Sequence, residues 1–254
     1  FTASAGGGVH SLGLKSDGSI VAWGYNANGQ CSVPAPNAGY AAIAGGLLHT
    51  LGLKSDGTIV AWGANEHGQT NPPCPPYCPE LDLADFIAVA AGGYHSLGLK
   101  SDGTIIAWGH NANGQCDVPT PNAGFVSIAA GHSHSQGVRR SEPGVVLNGP
   151  LSWSIPFAPP GGVGSFDNVA VTVTVDSGNR GSSGSVAAFG LNDYGQCTVP
   201  PTNDEFVVVS GGFGHSLGLK SDGTIVAWGW NDNGQCNVPS PNGGFQEVAA
   251  GSYH

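Results

Sequence analysis

Short apolar segments separated by glycine-rich turns recur along the chain, and one copy shows the pattern clearly. Residues 86–91 are continuously apolar, and residues 95–99 alternate in the manner of a half-buried strand. Asp102-Gly103 predicts a hairpin, because this dipeptide readily adopts positive φ. Residues 104–108 and 115–118 complete the unit before prolines that cannot continue a hydrogen-bonded ladder. The pattern therefore predicts four short strands per unit.

This unit repeats from end to end, and each copy opens on an aromatic residue. The longest interval, between His134 and His215, is close to twice the usual spacing and predicts one drifted copy. In that copy Val175 replaces the usual histidine, and Phe189 replaces the usual tryptophan. The segment 142–165 carries five prolines and is expected to be irregular and mobile. The predicted units start at Phe1, Tyr40, Phe86, Phe125, Phe166 and Phe206, with a partial unit over 245–254.

A four-stranded unit of this length, repeated several times, is typical of a β-propeller blade. The 43 glycines and 18 prolines argue against long helices. We therefore predict an all-β fold in which residues 1–254 form a single propeller domain, with six repeat units plus one strand of a seventh. A seven-bladed ring would complete it, and the alternative is a six-bladed ring with one redundant strand.

A second motif, Gly-x-Asn-x-x-Gly-Gln, follows an apolar strand in five of the units, starting at Gly24, Gly63, Gly109, Gly190 and Gly229. With Ala-Trp-Gly before it and Val-Pro after it, the unit resembles the regulator-of-chromosome-condensation repeat. It looks most like the secreted bacterial branch, which includes a propeller-type β-lactamase inhibitory protein. The resemblance implies a propeller that usually closes with seven blades. It leaves function open, because such propellers serve as exchange factors, inhibitors and adhesion modules.

Charge and composition narrow the classes of partner. Only seven residues are Lys or Arg and the formal net charge is −10, so nucleic acid is not an expected partner. The sequence has no run of eighteen apolar residues, so we expect no membrane insertion. Six cysteines beside so few lysines favour a secreted protein or an extracellular surface. With no methionine, the sequence is expected to be a processed or incomplete product.

Cysteines and histidines are the obvious candidates for chemistry. Cys74 and Cys78 lie in one inserted loop and are predicted to form a disulfide, whereas the four cysteines that follow Gly-Gln (Cys31, Cys116, Cys197 and Cys236) are predicted to be unpaired. The repeated histidine (His10, His49, His95, His134, His215 and His254) is expected to bond to a neighbouring strand, because equivalent positions on different blades lie too far apart to share a metal. No nucleophile with its base, carboxylate pair or metal triad is recognisable, so we expect no enzymatic activity, metal or cofactor.

The two sides of the predicted propeller differ. The uniform rim is formed by the Lys-Ser-Asp-Gly turns that begin at Lys15, Lys54, Lys100 and Lys220. The variable rim is formed by the two residues before each repeated histidine and by the turn after each third strand. Strand direction places these two variable connections on one side. Its candidate binding residues are Tyr25, Leu47, Leu48, Tyr94, His110, Phe213, Trp230 and Tyr253.

These features predict a secreted, non-enzymatic, protein-binding propeller, inhibitor-like, that binds through the variable rim. One alternative is a structural or adhesive segment of a larger cell-surface or fibre-forming protein, which would self-assemble. Another is a carbohydrate-binding ring, since exposed tryptophan and tyrosine also stack on sugars.

Overall fold

The computed structural model describes residues 1–72, 85–140, 184–252 and 254. Its secondary structure consists of short strands rich in small and β-branched residues, which favour extended backbone. Glycine-containing turns connect these strands. The strands are β1 (Ala3–Gly6), β2 (His10–Leu14), β3 (Ile20–Gly24), β4 (Tyr40–Gly45), β5 (His49–Lys54), β6 (Ile59–Gly63), β7 (Phe86–Ala91), β8 (His95–Lys100), β9 (Ile105–Gly109), β10 (Phe125–Ala130), β11 (His134–Arg140), β12 (Gly184–Gly190), β13 (Phe206–Gly211), β14 (His215–Lys220) and β15 (Ile225–Gly229).

Within the described residues the strands form antiparallel three-stranded blades, numbered one to five: β1–β3, β4–β6, β7–β9, β10–β12 and β13–β15. A single residue pair, Gly184 opposite Phe206, joins blades four and five into one six-stranded sheet. Blade three matches the predicted first three strands, with His95 opposite Gly109 and Leu97 opposite Ala107. The all-β prediction and the repeated strand pattern are therefore confirmed.

The hydrophobic core lies between neighbouring blades. Leu97, Leu99 and Ile105 of blade three are almost fully buried and form one cluster with Phe125, the first residue of β10. Phe125 thus packs against the preceding blade, and burying such a side chain contributes roughly 1.5–3 kcal/mol. The same pattern places Tyr40 of blade two in a cluster with Leu12 and Leu14 of blade one.

The predicted fourth strand is not present in the described residues. In blade three, residues 115–118 form turns instead of a ladder. A single side chain takes over the hydrogen bonding of that edge, because the amide of Asn122 donates to Ile105 O and accepts from Ile105 N, both at 2.8 Å. Asn37, Asn203 and Asn242 do the same for Ile20, Val186 and Ile225. An asparagine amide thus satisfies one peptide of the outer edge, and the tight turns before it prevent an extended strand.

Blade four differs from the sequence interpretation. β12 pairs with β11 from Gly190 opposite His134 to Gly184 opposite Arg140. The strand assigned above to a separate unit starting at Phe166 is therefore the third strand of the blade that starts at Phe125. The Asn203 amide bonds to the backbone of Val186, as the Asn122 amide does to Ile105, so β12 makes the same hydrogen bonds as the third strand β9. Phe166, Val175 and the proline-rich segment 142–165 lie outside the described residues.

Residues 245–252 were predicted as a first strand and form no ladder in the structure. Three hydrogen bonds connect them to blade five: from Phe245 N to Gly223 O at 3.0 Å, from Phe213 N to Ser252 O at 3.3 Å and from Ala250 N to Ser210 Oγ at 2.9 Å. An extended segment is a strand only when a neighbouring strand pairs with it. Such a pair is not present here among the described residues.

The cysteines that follow Gly-Gln are free thiols, as predicted: Cys31, Cys116, Cys197 and Cys236. The thiol of Cys116 lies 3.5 Å from His110 O, and burial, followed by the nearby Asp117 carboxylate, raises its pKa to about 12. Burial also raises the pKa of Cys197 to about 11. Cys74 and Cys78 lie outside the described residues, and their disulfide stays a prediction. No helix among the described residues is long and apolar enough to cross a membrane.

Candidate binding rim

Lysine and arginine side chains of the uniform rim contact rings and carbonyl groups of the protein itself. Lys54 Nζ lies 3.6 Å from the centroid of the Tyr40 ring, and it donates to the carbonyl oxygens of Pro36 and Ala38. Arg139 takes the same place in blade four, over Phe125 and donating to Pro121 O at 2.6 Å. These cations hold the turn to the start of the first strand, so the repetition of this rim has a structural explanation.

The aspartates of the uniform rim are also satisfied locally. Asp102 Oδ1 accepts from Thr104 N at 2.9 Å and from Thr104 Oγ1 at 2.7 Å. These bonds hold the pKa of Asp102 below its usual range. Asp17, Asp56 and Asp222 make the same pair of bonds with the residue two positions on.

On the variable rim, aromatic side chains of blades two and three meet. The centroid of His67, in the turn after β6, lies 4.6 Å from that of His110 and 5.3 Å from that of Tyr94. All of these pairs meet edge to face, which is the favoured geometry between rings. A hydrogen bond fixes the position of the His110 ring, because Gln115 Nε2 lies 2.8 Å from His110 Nδ1.

The same network continues into blades four and five. His132 lies between Tyr94 at 6.0 Å and Phe213 at 4.6 Å. Phe213 is 6.4 Å from Trp230, and Trp230 stacks on Tyr194 at 5.4 Å with an interplanar angle of 27°. We call the continuous set the aromatic band: His67, Tyr94, His110, His132, Phe213, Trp230 and Tyr194. It spans four consecutive blades on one rim.

Backbone hydrogen bonds between neighbouring blades hold this band in place. Gly93 N donates to His132 O at 3.0 Å, and His132 N donates to Gly212 O at 3.1 Å. A Cβ on Gly93 would lie 2.6 Å from His132 O and 3.1 Å from its ring, so glycine is required where the imidazole covers the backbone. The first strands of the blades, together with residues 250–252, line a cavity of about 470 Å³.

The turn after each third strand is built by its Asn and Gln. Asn111 Oδ1 accepts from Cys116 N at 2.8 Å, and Gln115 Oε1 accepts from Asn113 N at 2.9 Å. Gly114, at φ of 76°, allows the chain to reverse there. The side chains of the second and fifth residues of Gly-x-Asn-x-x-Gly-Gln take no part in these two bonds, so they are free to vary.

The structure brings together half of the predicted site residues. Tyr94, His110, Phe213 and Trp230 belong to the aromatic band. Leu47 and Leu48 lie at the boundary of blades one and two, where Leu47 packs over the backbone of Gly8. Tyr25 lies apart from the band with 52% of its surface exposed. Tyr253 lies outside the described residues.

Sequence reasoning missed His67, His132 and Tyr194. His67 and Tyr194 occupy the fifth position of the turn motif, where the other units have asparagine. That contrast was visible in the sequence and identifies both positions as variable. His132 stands in the same connection as the predicted Phe213, one blade earlier, and belonged in the same set.

Four of the repeated histidines, His10, His49, His95 and His134, bond to the next blade as predicted, whereas neither ring nitrogen of His215 has a hydrogen-bond partner among the described residues. His95 Nε2 lies 2.9 Å from Ser135 Oγ of the next blade, and that hydroxyl donates to Gln115 O at 2.8 Å. Burial, followed by neighbouring histidines, lowers the pKa of His95 to about 3 and those of His49 and His134 to about 4. They are therefore neutral at physiological pH. Among the described residues no three His, Cys, Asp or Glu side chains converge where a metal ion would sit.

Comparisons with known proteins agree with this architecture. Residues 3–30, 40–69, 86–115 and 206–235 match the family model described as the regulator of chromosome condensation (RCC1) repeat. These segments run from the start of blades one, two, three and five through the glutamine of the turn motif. These four segments of the chain therefore match the RCC1 repeat. No curated protein sequence matches the chain.

Solved structures show the same fold at low identity. The CRINKLY WD40 ectodomain of the receptor kinase ACR4 from Arabidopsis thaliana is 22% identical with a TM-score of 0.62, over 99% of this chain and 72% of that one. Prp20p from Saccharomyces cerevisiae is 19% identical with a TM-score of 0.64, over 94% of this chain and 59% of that one. The same yeast protein bound to Kap60 is 19% identical with a TM-score of 0.65, over 98% and 65%. The chain thus spans less than two thirds of both yeast chains.

Proposed function

We propose that this RCC1-repeat propeller is an extracellular binding module that recognises a protein partner through the aromatic band and performs no catalysis. The observation that carries the proposal is the continuity of the band. Seven aromatic side chains from four blades contact one another on a single rim, although the repeat itself does not require them. Clustered aromatic residues supply most of the binding energy at many protein interfaces.

Charge supports a partner that is apolar and mildly basic. Glu66, Asp193 and Asp232 are exposed in the turns of the variable rim. Every lysine and arginine in the described part of the chain lies at or beside the uniform rim instead. The resulting separation favours a positively charged partner surface and suppresses acidic ones.

The similar structures supply a precedent for protein binding. The yeast relative is described by its binding to Gsp1p and histones, and a second structure holds it with Kap60. The ACR4 relative is a receptor ectodomain, which is consistent with an extracellular place for this chain. We also propose that the protein acts as an inhibitor of its partner and that its repeats belong to the secreted bacterial branch.

The test compares two double variants. Tyr94→Ala with Trp230→Ala removes two ring contacts of the band, and Lys54→Ala with Lys100→Ala changes the uniform rim. Partners captured by the wild type are purified and their Kd is measured by calorimetry. We expect the aromatic pair to weaken binding by at least about thirtyfold per residue, which corresponds to roughly 2 kcal/mol. The lysine pair should change it little.

Unfolding midpoints close to that of the wild type are required of both variants. A partner that still binds the aromatic variant, or whose hydrogen-exchange footprint falls on the uniform rim, would contradict the proposal. The structural or adhesive alternative predicts self-association of the wild type alone, which light scattering measures directly.

A further inference from the structure

The stacked pair Tyr194 and Trp230 differs from every other contact in the aromatic band. Its rings are nearly parallel at 27°, whereas the other pairs are tilted or edge to face. Tyr194 keeps 48% of its surface exposed although one side is covered by Trp230. The pair therefore offers a flat aromatic platform at the boundary of blades four and five.

Gly214 makes this platform possible. A Cβ at this position would lie 3.0 Å from Tyr194 Cδ2 and 3.4 Å from Trp230 Cβ. The equivalent positions of other blades carry side chains: Val9, Leu48, Tyr94 and Ser133. In blade five the missing side chain lets the tyrosine ring lie against the backbone, so the platform depends on three residues that fit together.

The charge around the platform favours a cation. Asp193 immediately precedes Tyr194, Asp232 lies two residues after Trp230, and both are exposed. The face of an aromatic ring is negative, so rings and carboxylates attract the same ligand. On the uniform rim the protein already uses this chemistry, with Arg139 held 4.5 Å from the centroid of Phe125.

From these observations we propose that the Tyr194–Trp230 platform is the anchor subsite for an arginine side chain of the protein partner. This rests on the proposed function and names the chemistry it uses. A planar guanidinium stacks on an aromatic face and donates to carboxylates at its edge, which a compact ammonium does less well. Asp193 and Asp232 would accept those hydrogen bonds.

The test uses two short probes that differ in charge but hardly in shape: acetyl-Gly-Arg-Gly-amide and its citrulline counterpart. Binding is followed by NMR from the indole N–H signals, with the Trp230 signal assigned by Trp230→Phe. We expect a saturable shift with the arginine peptide and at least about threefold weaker binding of the citrulline peptide. Added salt should weaken the arginine peptide selectively.

Matched variants test the platform itself. Tyr194→Ala and Gly214→Ala should each abolish or strongly weaken the shift, because one removes the ring and the other displaces it. Tyr194→Phe keeps the aromatic face and should retain binding. Asp193→Asn with Asp232→Asn should reduce the preference for arginine over citrulline. Ile87→Ala, at an exposed apolar position outside the rim, is the control and should change nothing.

Equal binding of the two peptides, or a shift with maltotriose and none with arginine, would overturn the subsite. The proposed function fails separately. If partner binding depends on Tyr94 and Trp230 while the probes bind equally, the band stands and the arginine subsite is wrong. If the arginine peptide alone binds at Tyr194 but no protein partner depends on the band, the subsite stands and the proposed function is wrong.

Discussion

His95 of blade three donates from Nε2 to Ser135 Oγ of blade four, 2.9 Å away, and Ser135 donates to the carbonyl of Gln115, 2.8 Å away. The hydroxyl has one proton and gives it to the carbonyl, so the imidazole must be the donor. The same relay connects His10 with Thr50, His49 with Ser96 and His134 with Ser216. One repeated dipeptide therefore joins each blade to the next and fixes the histidine tautomer.

Replacing the serine of this relay should destabilise the fold. Ser135→Ala leaves the buried His95 Nε2–H without its acceptor and removes one donor from Gln115 O. We expect a loss of about 1–3 kcal/mol in the free energy of unfolding, measured by urea denaturation. Ser11→Ala is the matched control, since Ser11 holds the same register position and makes no such bond among the described residues. Equal losses in the two variants would show that the relay does not stabilise the fold.

The repeated tryptophan can be tested with a similar matched pair of variants, one at a buried copy and one at an exposed copy. Trp108 Nε1 donates to Gln69 O of blade two at 2.9 Å, and the side chain is 5% exposed. Trp108→Phe removes that bond and leaves a gap, so we expect about 1–3 kcal/mol of destabilisation. Trp23 occupies the same strand position and is 50% exposed, so Trp23→Phe should cost less than about 0.5 kcal/mol. Thermal melts of both variants measure the loss of stability, and a larger loss for Trp23→Phe than for Trp108→Phe would contradict this prediction.

Acid should destabilise the protein through its buried histidines. Burial lowers the pKa of His95 to about 3 and those of His49 and His134 to about 4, so the folded state resists protonation. The unfolded chain binds protons below about pH 6.5, so stability is complete above that pH and falls between there and the folded pKa values. Each histidine contributes a slope of about 1.4 kcal/mol per pH unit in this window.

Urea midpoints at about pH 7.5, 6 and 5 measure this slope, and His95→Gln should reduce it, because one histidine with a lowered pKa is removed. The lowered pKa of Asp102 and its equivalents acts at lower pH, below the usual carboxyl range, and does not overlap most of this window. A free energy of unfolding that stays constant from neutral pH to pH 5 would contradict the prediction.

Thiol labelling and mass mapping distinguish the free cysteines from the predicted Cys74–Cys78 disulfide. With thiol pKa values raised to about 12 and 11, Cys116 and Cys197 hold almost no thiolate at neutral pH. We expect iodoacetamide to label them at least about a hundredfold more slowly in the native protein than in urea. Mass mapping without reduction should find Cys74 linked to Cys78. A disulfide that includes Cys31 or Cys236, or rapid native labelling of Cys116, would contradict this account.

Much of the fold follows from local sequence. The alternation in residues 95–99 and the Asp102-Gly103 turn predict β8, β9 and the hairpin between them, because both depend on backbone preferences of adjacent residues. The four free thiols and the structural histidines also follow, since equivalent positions on separate blades cannot meet. The fourth strand was predicted wrongly, because nothing local shows that Asn122 replaces it.

The candidate site was predicted only in part. Strand direction places Tyr94, His110, Phe213 and Trp230 on one rim, and that argument needs no coordinates. It does not show which of them touch. The contact of Tyr194 with Trp230 joins residues of different blades, and it depends on the missing side chain at Gly214.

The sequence by itself determined the repeat, the positions of most strands and the two unlike rims, because turns and strand periodicity are local properties of the chain. Only the tertiary structure decided that β12 completes the blade begun at Phe125, since the spacing of a drifted unit and that of a long insertion are alike in sequence. It also decided which aromatic residues form one band. Both are matters of pairing between distant segments, and the free energy of such pairing depends on packing that no local pattern records.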